Sequence, residues 1–299
     1  MIVNENASIE KEIKISQNLG ARMLAYSEKV FGCVIDPKFN IADFTKLHFD
    51  KKKTISMLKF FSSALPQIEK SARILDAGAG GGLFLAGLIR AGYSHVVGYE
   101  VDRDVYLISQ DLLKENQIEH DLISLVPGNY SKLPYADGCF DIIFSLFVLE
   151  HVKNPIHYLS ELKRVLKKNG KICIVCPNYV MPYETHYGLF ILPFIFKSLN
   201  RIILNMERRS QAIFNDLSFP TPLRLRKWIS EAGLIGVNLS KHHFIESLFY
   251  DIDCSIRSNY AVFIAKICKK YKLIPLVKIL VGIGLYNPLI FILKHRDYV

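Results

Sequence analysis

Short apolar runs alternate with amphipathic stretches along most of this 299-residue chain, a rhythm that predicts a parallel α/β sheet with both faces covered by helices. The approach Arg73-Ile74-Leu75 reads as a first buried strand, and Leu83-Phe84-Leu85-Ala86 opens a helix. Ser94 to Glu100 reads as a second strand, Leu125 to Tyr130 as the end of a third, Ile142 to Phe147 as a fourth and Ile172 to Cys176 as a fifth. A helix ending over Arg164 to Lys171 joins the last two. The 70 residues ahead of this core are helix-like and mixed in charge, closing on Met57-Leu58-Lys59-Phe60-Phe61 before Pro66. Beyond it come an insertion from about Pro177 to Pro222, a helix from Leu223 stopped by Gly233, a strand Leu234 to Lys241 and a last strand Asn259 to Lys266. The organisation expected is a lead-in over 1–70, a core over 71–266 with a lid at 177–222, and an extension over 267–299 outside the core.

The chemistry concentrates in Ile74 to Gly82, I-L-D-A-G-A-G-G-G. Alternate glycines after a buried strand and before a helix let backbone turn tightly against a ligand, and a nucleoside-containing ligand is expected there. A dinucleotide site needs G-x-G-x-x-G, yet reading from Gly78 or Gly80 puts Leu83 or Leu85 where the third glycine should fall. That argues against NAD. Glu100 ends the second strand at the spacing where a doubly wound sheet delivers an acid to a ribose diol.

Further motifs follow in order: L-P-Y-A-D-G-C-F-D from Leu133 to Asp141, L-E-H-V from Leu149 to Val152, and R-V-L-K-K-N-G from Arg164 to Gly170. With these the chain resembles the class I S-adenosylmethionine-dependent methyltransferases, in particular the type 11-like small-molecule group, from roughly Ala72 to Asn178. The resemblance implies a Rossmann-like, doubly wound seven-stranded sheet with an antiparallel last strand, placed here at Asn259 to Lys266. It implies S-adenosyl-L-methionine as cofactor, with Asp76, Gly78, Gly80 and Gly82 framing the methionine end, Glu100 on the ribose, and Asn129 with Tyr130 at the adenine. Many relatives carry Asp where Asn129 stands; its carbonyl oxygen can still accept from the adenine amino group.

Charge sharpens the picture at two places. The formal net charge is +10. Much of it lies in Ile267 to Val299, where six basic residues meet only Asp297, and in Tyr187 to Arg209, where four meet only Glu207. Both stretches are rich in Ile, Leu and Phe. Bulky apolar residues among Lys and Arg fit a surface that meets anionic lipid, and argue against nucleic acid, whose grooves are lined by basic, polar and stacking residues. Leu273 to Leu293 is long enough for a helix to cross about 30 Å, although Pro275, Lys278, Asn287 and Pro288 interrupt it. Interfacial attachment, a transmembrane span and packing on the body or a second subunit all remain open, as does the oligomeric state. No secretory signal precedes the N-terminal N-E-N-A-S-I-E-K-E stretch, so a reducing, cytoplasmic setting is expected, peripheral to the inner membrane face if lipid is bound. Cys173 and Cys176 spell C-x-x-C inside an apolar strand, and no metal site is expected.

Methyl transfer is an in-line displacement, and an alcohol acceptor must also shed a proton. His151 follows the fourth strand; in several O-methyltransferases of the resembled group the histidine of L-E-H-V lies near the acceptor. Glu184 and His186, in the loop after the fifth strand, form a second pair. The stretch P-Y-E-x-H-Y-G followed by L-x-x-L-P is similar to methyltransferases of bacterial surface-glycan and lipid-linked sugar synthesis. The function expected is O-methylation of a sugar, glycolipid or other small amphiphilic acceptor. Methylation of a quinone or polyketide-like ring, and a membrane-associated cofactor-binding protein without turnover, are the alternatives.

Overall fold

The inner strands of the main sheet send alternate residues into two separate cores, and helices close both. In the computed structural model, which describes residues 13–31, 49–65, 68–126, 132–181, 183–184, 189–190, 197–207, 211–249, 267, 270 and 273–298, α1 (Gln17–Phe31) and α2 (Lys51–Ala64) precede β1 (Arg73–Ala77). Then come α3 (Leu83–Arg90), β2 (His95–Glu100), α4 (Arg103–Glu115), β3 (Ile123–Leu125), β4 (Phe140–Leu146), α5 (Pro155–Val165) and β5 (Leu166–Cys176). The insertion holds a short hairpin, β6 (Tyr183–Glu184) and β7 (Leu189–Phe190), and two helices, α6 (Lys197–Met206) and α7 (Ala212–Asp216). The chain returns through α8 (Pro222–Glu231), β8 (Leu234–Asn238), α9 (Ser240–Phe249), α10 (Ile274–Gly282) and β9 (Leu289–His295).

The seven-stranded sheet has the order β3-β2-β1-β4-β5-β9-β8. Strands β1 to β5 pair in parallel, and β9 runs antiparallel to both β5 and β8. Strand order reverses between β1 and β4, and in such sheets a ligand crevice opens at that point beyond the carboxyl ends. On one face Ile74, Phe144, Cys173 and Val175 pack with α1 to α4; on the other Leu75, Ile143, Ile174 and Cys176 pack with α5, α8 and α10. Cys173 and Cys176 thus face opposite cores and are free thiols. No metal-ligating cluster occurs among the described residues.

Several expectations change. The third strand spans Ile123–Leu125, ahead of the Val126 to Tyr130 stretch read as its end, and β8 stops at Asn238, so that Ser240 and Lys241 begin α9 instead of ending a strand. The residues after Arg164 expected to continue the preceding helix, Leu166 to Lys171, already belong to β5, whose ladder with β4 is irregular between Phe140 and Ile142. More consequentially, the apolar run taken for an extension outside the core supplies the strand that completes the sheet. Leu289, Ile290, Phe291 and Leu293 are buried between β5 and β8. The 21-residue stretch Leu273 to Leu293 is therefore no single span: α10 occupies its first part and β9 its last. No helix among the described residues is long and apolar enough to cross a membrane. The segment expected as the closing strand, Asn259 to Lys266, lies outside the described residues.

Candidate active site

The turn from β1 into α3 is shaped by backbone that other residues would resist. Gly78 has φ +80, and a Cβ there would stand 2.5 Å from Val148 Cγ2, so the loop lies directly against the segment leaving β4. The amides of Gly78 and Ala79 both donate to the carbonyl oxygen of Tyr99, at 3.1 and 2.8 Å, which fastens the loop to β2. Gly80, at φ +54, has no atom of a described residue within 4 Å of its Cβ position. Its open face is where a ligand can approach the main chain. Gly82 caps α3.

Glu100 stands beside this opening. Its Oε2 accepts from Gly80 N at 2.8 Å, and its Oε1 from Val101 N at 2.7 Å and Asp102 N at 3.0 Å. Burial pushes its carboxyl above the usual range, and the three amides partly offset that. Asp102 caps α4 by accepting from Asp104 N and Val105 N. From α1 the Tyr26 hydroxyl donates to Asp102 Oδ2 at 3.3 Å, and burial together with the charges of Asp102 and Glu100 raises its pKa. The lead-in thus covers the loop: Phe49 and Met23 stand 3.1 and 3.2 Å from a Cβ on Gly81.

At the end of β1, Asp76 is 2% exposed and its Oδ2 has no hydrogen-bond partner among the described residues. Burial, with the charge of Glu100 second, pushes its carboxyl up to about 7. A folded-state value above the ordinary 3.8 makes Asp76's contribution to stability fullest below that value and lost as pH rises through about 7. Asp76→Asn is therefore expected to flatten the ligand-free protein's loss of stability between pH 4 and 8, read by urea unfolding; an unchanged pH profile would mean that Asp76 is solvated or paired.

On the β4 side, Phe147 takes φ +58, uncommon for an aromatic residue, while its amide donates to Val175 O at 2.7 Å. Lys53, from the first turn of α2, places its Nζ 4.1 Å from the Phe147 ring centroid. Burial lowers the lysine's pKa, opposed by the charges of Asp50 and Glu150. Glu150 is 1% exposed in the 3-10 turn Leu149–His151, whose carbonyls accept from Ser218 of the insertion. Beneath lies a buried bond of 2.8 Å between Ser145 Oγ and the Tyr158 hydroxyl.

The structure therefore brings Asp76, Gly78, Gly80, Gly82 and Glu100 to one edge of the sheet. His151 follows on the same edge as an exposed residue of the 3-10 turn. Glu184 lies in β6 opposite Leu189, but its side chain is not among those described; Asn129, Tyr130 and His186 lie outside the described residues. Sequence reasoning missed Tyr26, Lys53 and the turn at Phe147. The two side chains reach the edge by packing from the lead-in, and no local motif marks them.

Residues 75–174 match the family described as a methyltransferase domain. A demethylmenaquinone methyltransferase of Alkalihalophilus pseudofirmus is 28% identical over 149 residues, 49% of this chain and 62% of the relative. A tRNA U34 carboxymethyltransferase of Vibrio cholerae is 25% identical over 177 residues, 58% of this chain and 49% of the relative. The chain thus spans less than two-thirds of either. Among solved structures, the geranyl diphosphate C-methyltransferase of Streptomyces coelicolor, in complex with Mg2+, geranyl diphosphate and S-adenosyl-L-homocysteine, is similar at TM-score 0.51 and 14% identity. That match covers 89% of this chain and 87% of that one, a likeness of fold. The open backbone at Gly80, the carboxylate beside it and the orphaned oxygen of Asp76 fit a cationic, ribose-bearing ligand. Residues 75–174 of this chain match the methyltransferase-domain family, and that match together with the open loop at Gly80 beside Glu100 supports S-adenosyl-L-methionine as the cofactor.

Proposed function

We propose that this chain transfers a methyl group from S-adenosyl-L-methionine to a small amphiphilic acceptor that enters beside Lys53 and Phe147. The observation that carries the reading is the open face of Gly80 next to Glu100, at the switch point between β1 and β4. Bound there, the cofactor supplies an activated methyl group on sulfur. The chain's own task is to align an acceptor lone pair with that methyl and to exclude water. Gly78 to Gly82 give the backbone approach, Asp76 a buried counter-charge for a cationic group, and Glu100 with Tyr26 a carboxylate and a hydroxyl for the ribose. Asn129 and Tyr130 are assigned to the adenine by their place in the motif alone. On the acceptor side Phe147 forms an apolar wall, and the Lys53 ammonium can face an oxygen that carries negative charge.

A hydroxylated or quinone-like ring is favoured by that apolar wall and by the activity named for the Alkalihalophilus relative. A sugar or lipid-linked sugar rests on the P-Y-E-x-H-Y-G stretch, where Glu184 and His186 would serve the acceptor. Radiolabelled methyl transfer and calorimetry separate these assignments. Lys53→Met is expected to lower turnover about tenfold or more with cofactor affinity unchanged, because a charge is lost on the acceptor side only. A loss of about 10²–10⁴-fold in His151→Ala alone would place proton transfer at the 3-10 turn instead. Cofactor binding with no transfer to any aromatic, sugar or lipid acceptor would leave a cofactor-binding protein without turnover.

A further inference from the structure

Two helices of this chain carry apolar side chains on the face that their packing leaves outside. In α6, Asn200 and Leu204 are buried against the chain, with Leu204 in a cluster formed by Tyr179, Phe214 and Phe219. Its other side presents Leu199, Ile202 at 55% exposure and Met206 at 79%, at the spacing of one helical face. In α10, Val277 and Val281 enter the core, whereas Ile279 at 62% exposure and Ile283, just past its end, at 68% point out one turn apart. Ordinary surface helices reserve that face for polar residues. Both helices flank the segment leaving β5: Tyr179 packs with Leu204, and Asn178 Nδ2 donates to Gly284 O at 2.8 Å and Tyr286 O at 2.6 Å. This is the carboxyl end of β5, the edge of the sheet that also carries the glycine loop.

Positive charge predominates around these faces, although Glu207 follows Met206 and is exposed. No Asp or Glu occurs between Glu184 and Glu207, nor between Asp253 and Asp297, while Arg201, Lys270 and Lys278 are exposed there. We infer that α6 and α10 together form a surface that docks on an anionic lipid bilayer, their isoleucines, leucine and methionine entering the acyl boundary and their cations meeting the headgroups. A second copy of the chain is a poorer occupant, because two such faces would bring like charges together. The surface reads independently of methyl transfer, since neither cofactor nor acceptor takes part in it.

The test is co-sedimentation of the full chain with vesicles of phosphatidylglycerol and phosphatidylcholine, against phosphatidylcholine alone. Binding to the anionic vesicles only, weakened by high salt, is expected. Ile279→Ser with Ile283→Ser, and separately Ile202→Ser with Met206→Ser, should each reduce it about tenfold or more while thermal unfolding stays unchanged. Lys270→Glu with Lys278→Glu, which leaves the apolar faces intact, should weaken it comparably and keeps the test valid if an apolar variant fails to fold. Folded wild-type protein that ignores anionic vesicles would overturn the inference, as would binding indifferent to all three variants. A concentration-dependent dimer dispersed by the isoleucine substitutions, without lipid binding, would also overturn it and assign the face to a second copy.

Discussion

Gly80→Val is expected to abolish detectable binding of S-adenosyl-L-methionine while leaving a folded protein. The substitution separates two roles that glycines play within one loop. At Gly80 a Cβ meets no atom of a described residue within 4 Å, so an added side chain projects into the opening and not into the protein. The residue must still hold φ +54, which costs a β-branched side chain about 1–3 kcal/mol and leaves a domain of ordinary stability folded. A ligand that needs the main chain at that point loses its approach, and affinity should fall by more than about 100-fold, or about 3 kcal/mol. Gly78→Val is the contrasting case, because its Cβ would stand 2.5 Å from Val148 Cγ2 and the damage falls on the fold. Calorimetry with S-adenosyl-L-methionine and S-adenosyl-L-homocysteine, paired with thermal unfolding, reads both. Wild-type affinity in folded Gly80→Val would move the cofactor away from this loop.

Removal of residues 287–299 is expected to leave no folded domain. Among the described residues the deleted strand is the only sheet partner of β8, and it covers the edge of β5. Leu289, Ile290, Phe291 and Leu293 are each at most 2% exposed, and burial of such side chains contributes about 1.5–3 kcal/mol apiece. Four of them rival the total stability of about 5–15 kcal/mol typical of a domain. Ile290→Asp should approach the same outcome with the chain length unchanged, since it places a charge inside the apolar cluster to which Ile290, Phe61, Phe144 and Val175 belong. Circular dichroism and cofactor calorimetry on the shortened chain decide the matter. A cooperative fold with intact cofactor affinity would mean that β9 is dispensable, as expected of a membrane tail.

That contrast marks where sequence reading stops. Strands β1, β2, β4 and β5 were legible because each short apolar run is bounded by polar residues or glycine, and because Asp76, Gly78, Gly80 and Glu100 recur at a spacing that the chemistry demands; β3, only Ile123–Leu125, is too short to leave such a run. β9 was not. A strand buried on both faces shows no alternation, so Leu289 to Leu293 differs little in composition from the preceding helix, whose apolar residues lie on its inner and outer sides alike. Helix and strand merged into one run that resembled a span. Lys53 and Tyr26 were illegible for another reason. Each reaches the site because α1 and α2 pack across α3 and α4, and Thr54 and Leu58, at 2.9 and 3.1 Å from a Cβ on Gly87, leave no mark of that packing in the local sequence.

The placement of β9 also orders events during synthesis. β5 ends at Cys176 and its outer neighbour begins only at Leu289. While the ribosome makes the intervening residues, β5 presents an open, strongly apolar edge, the kind of edge on which foreign strands pair. β8, although finished earlier, has no place in the sheet until β9 arrives between it and β5. Translation that stalls within this interval would release a cofactor loop already complete in sequence, on a half-sheet that invites aggregation.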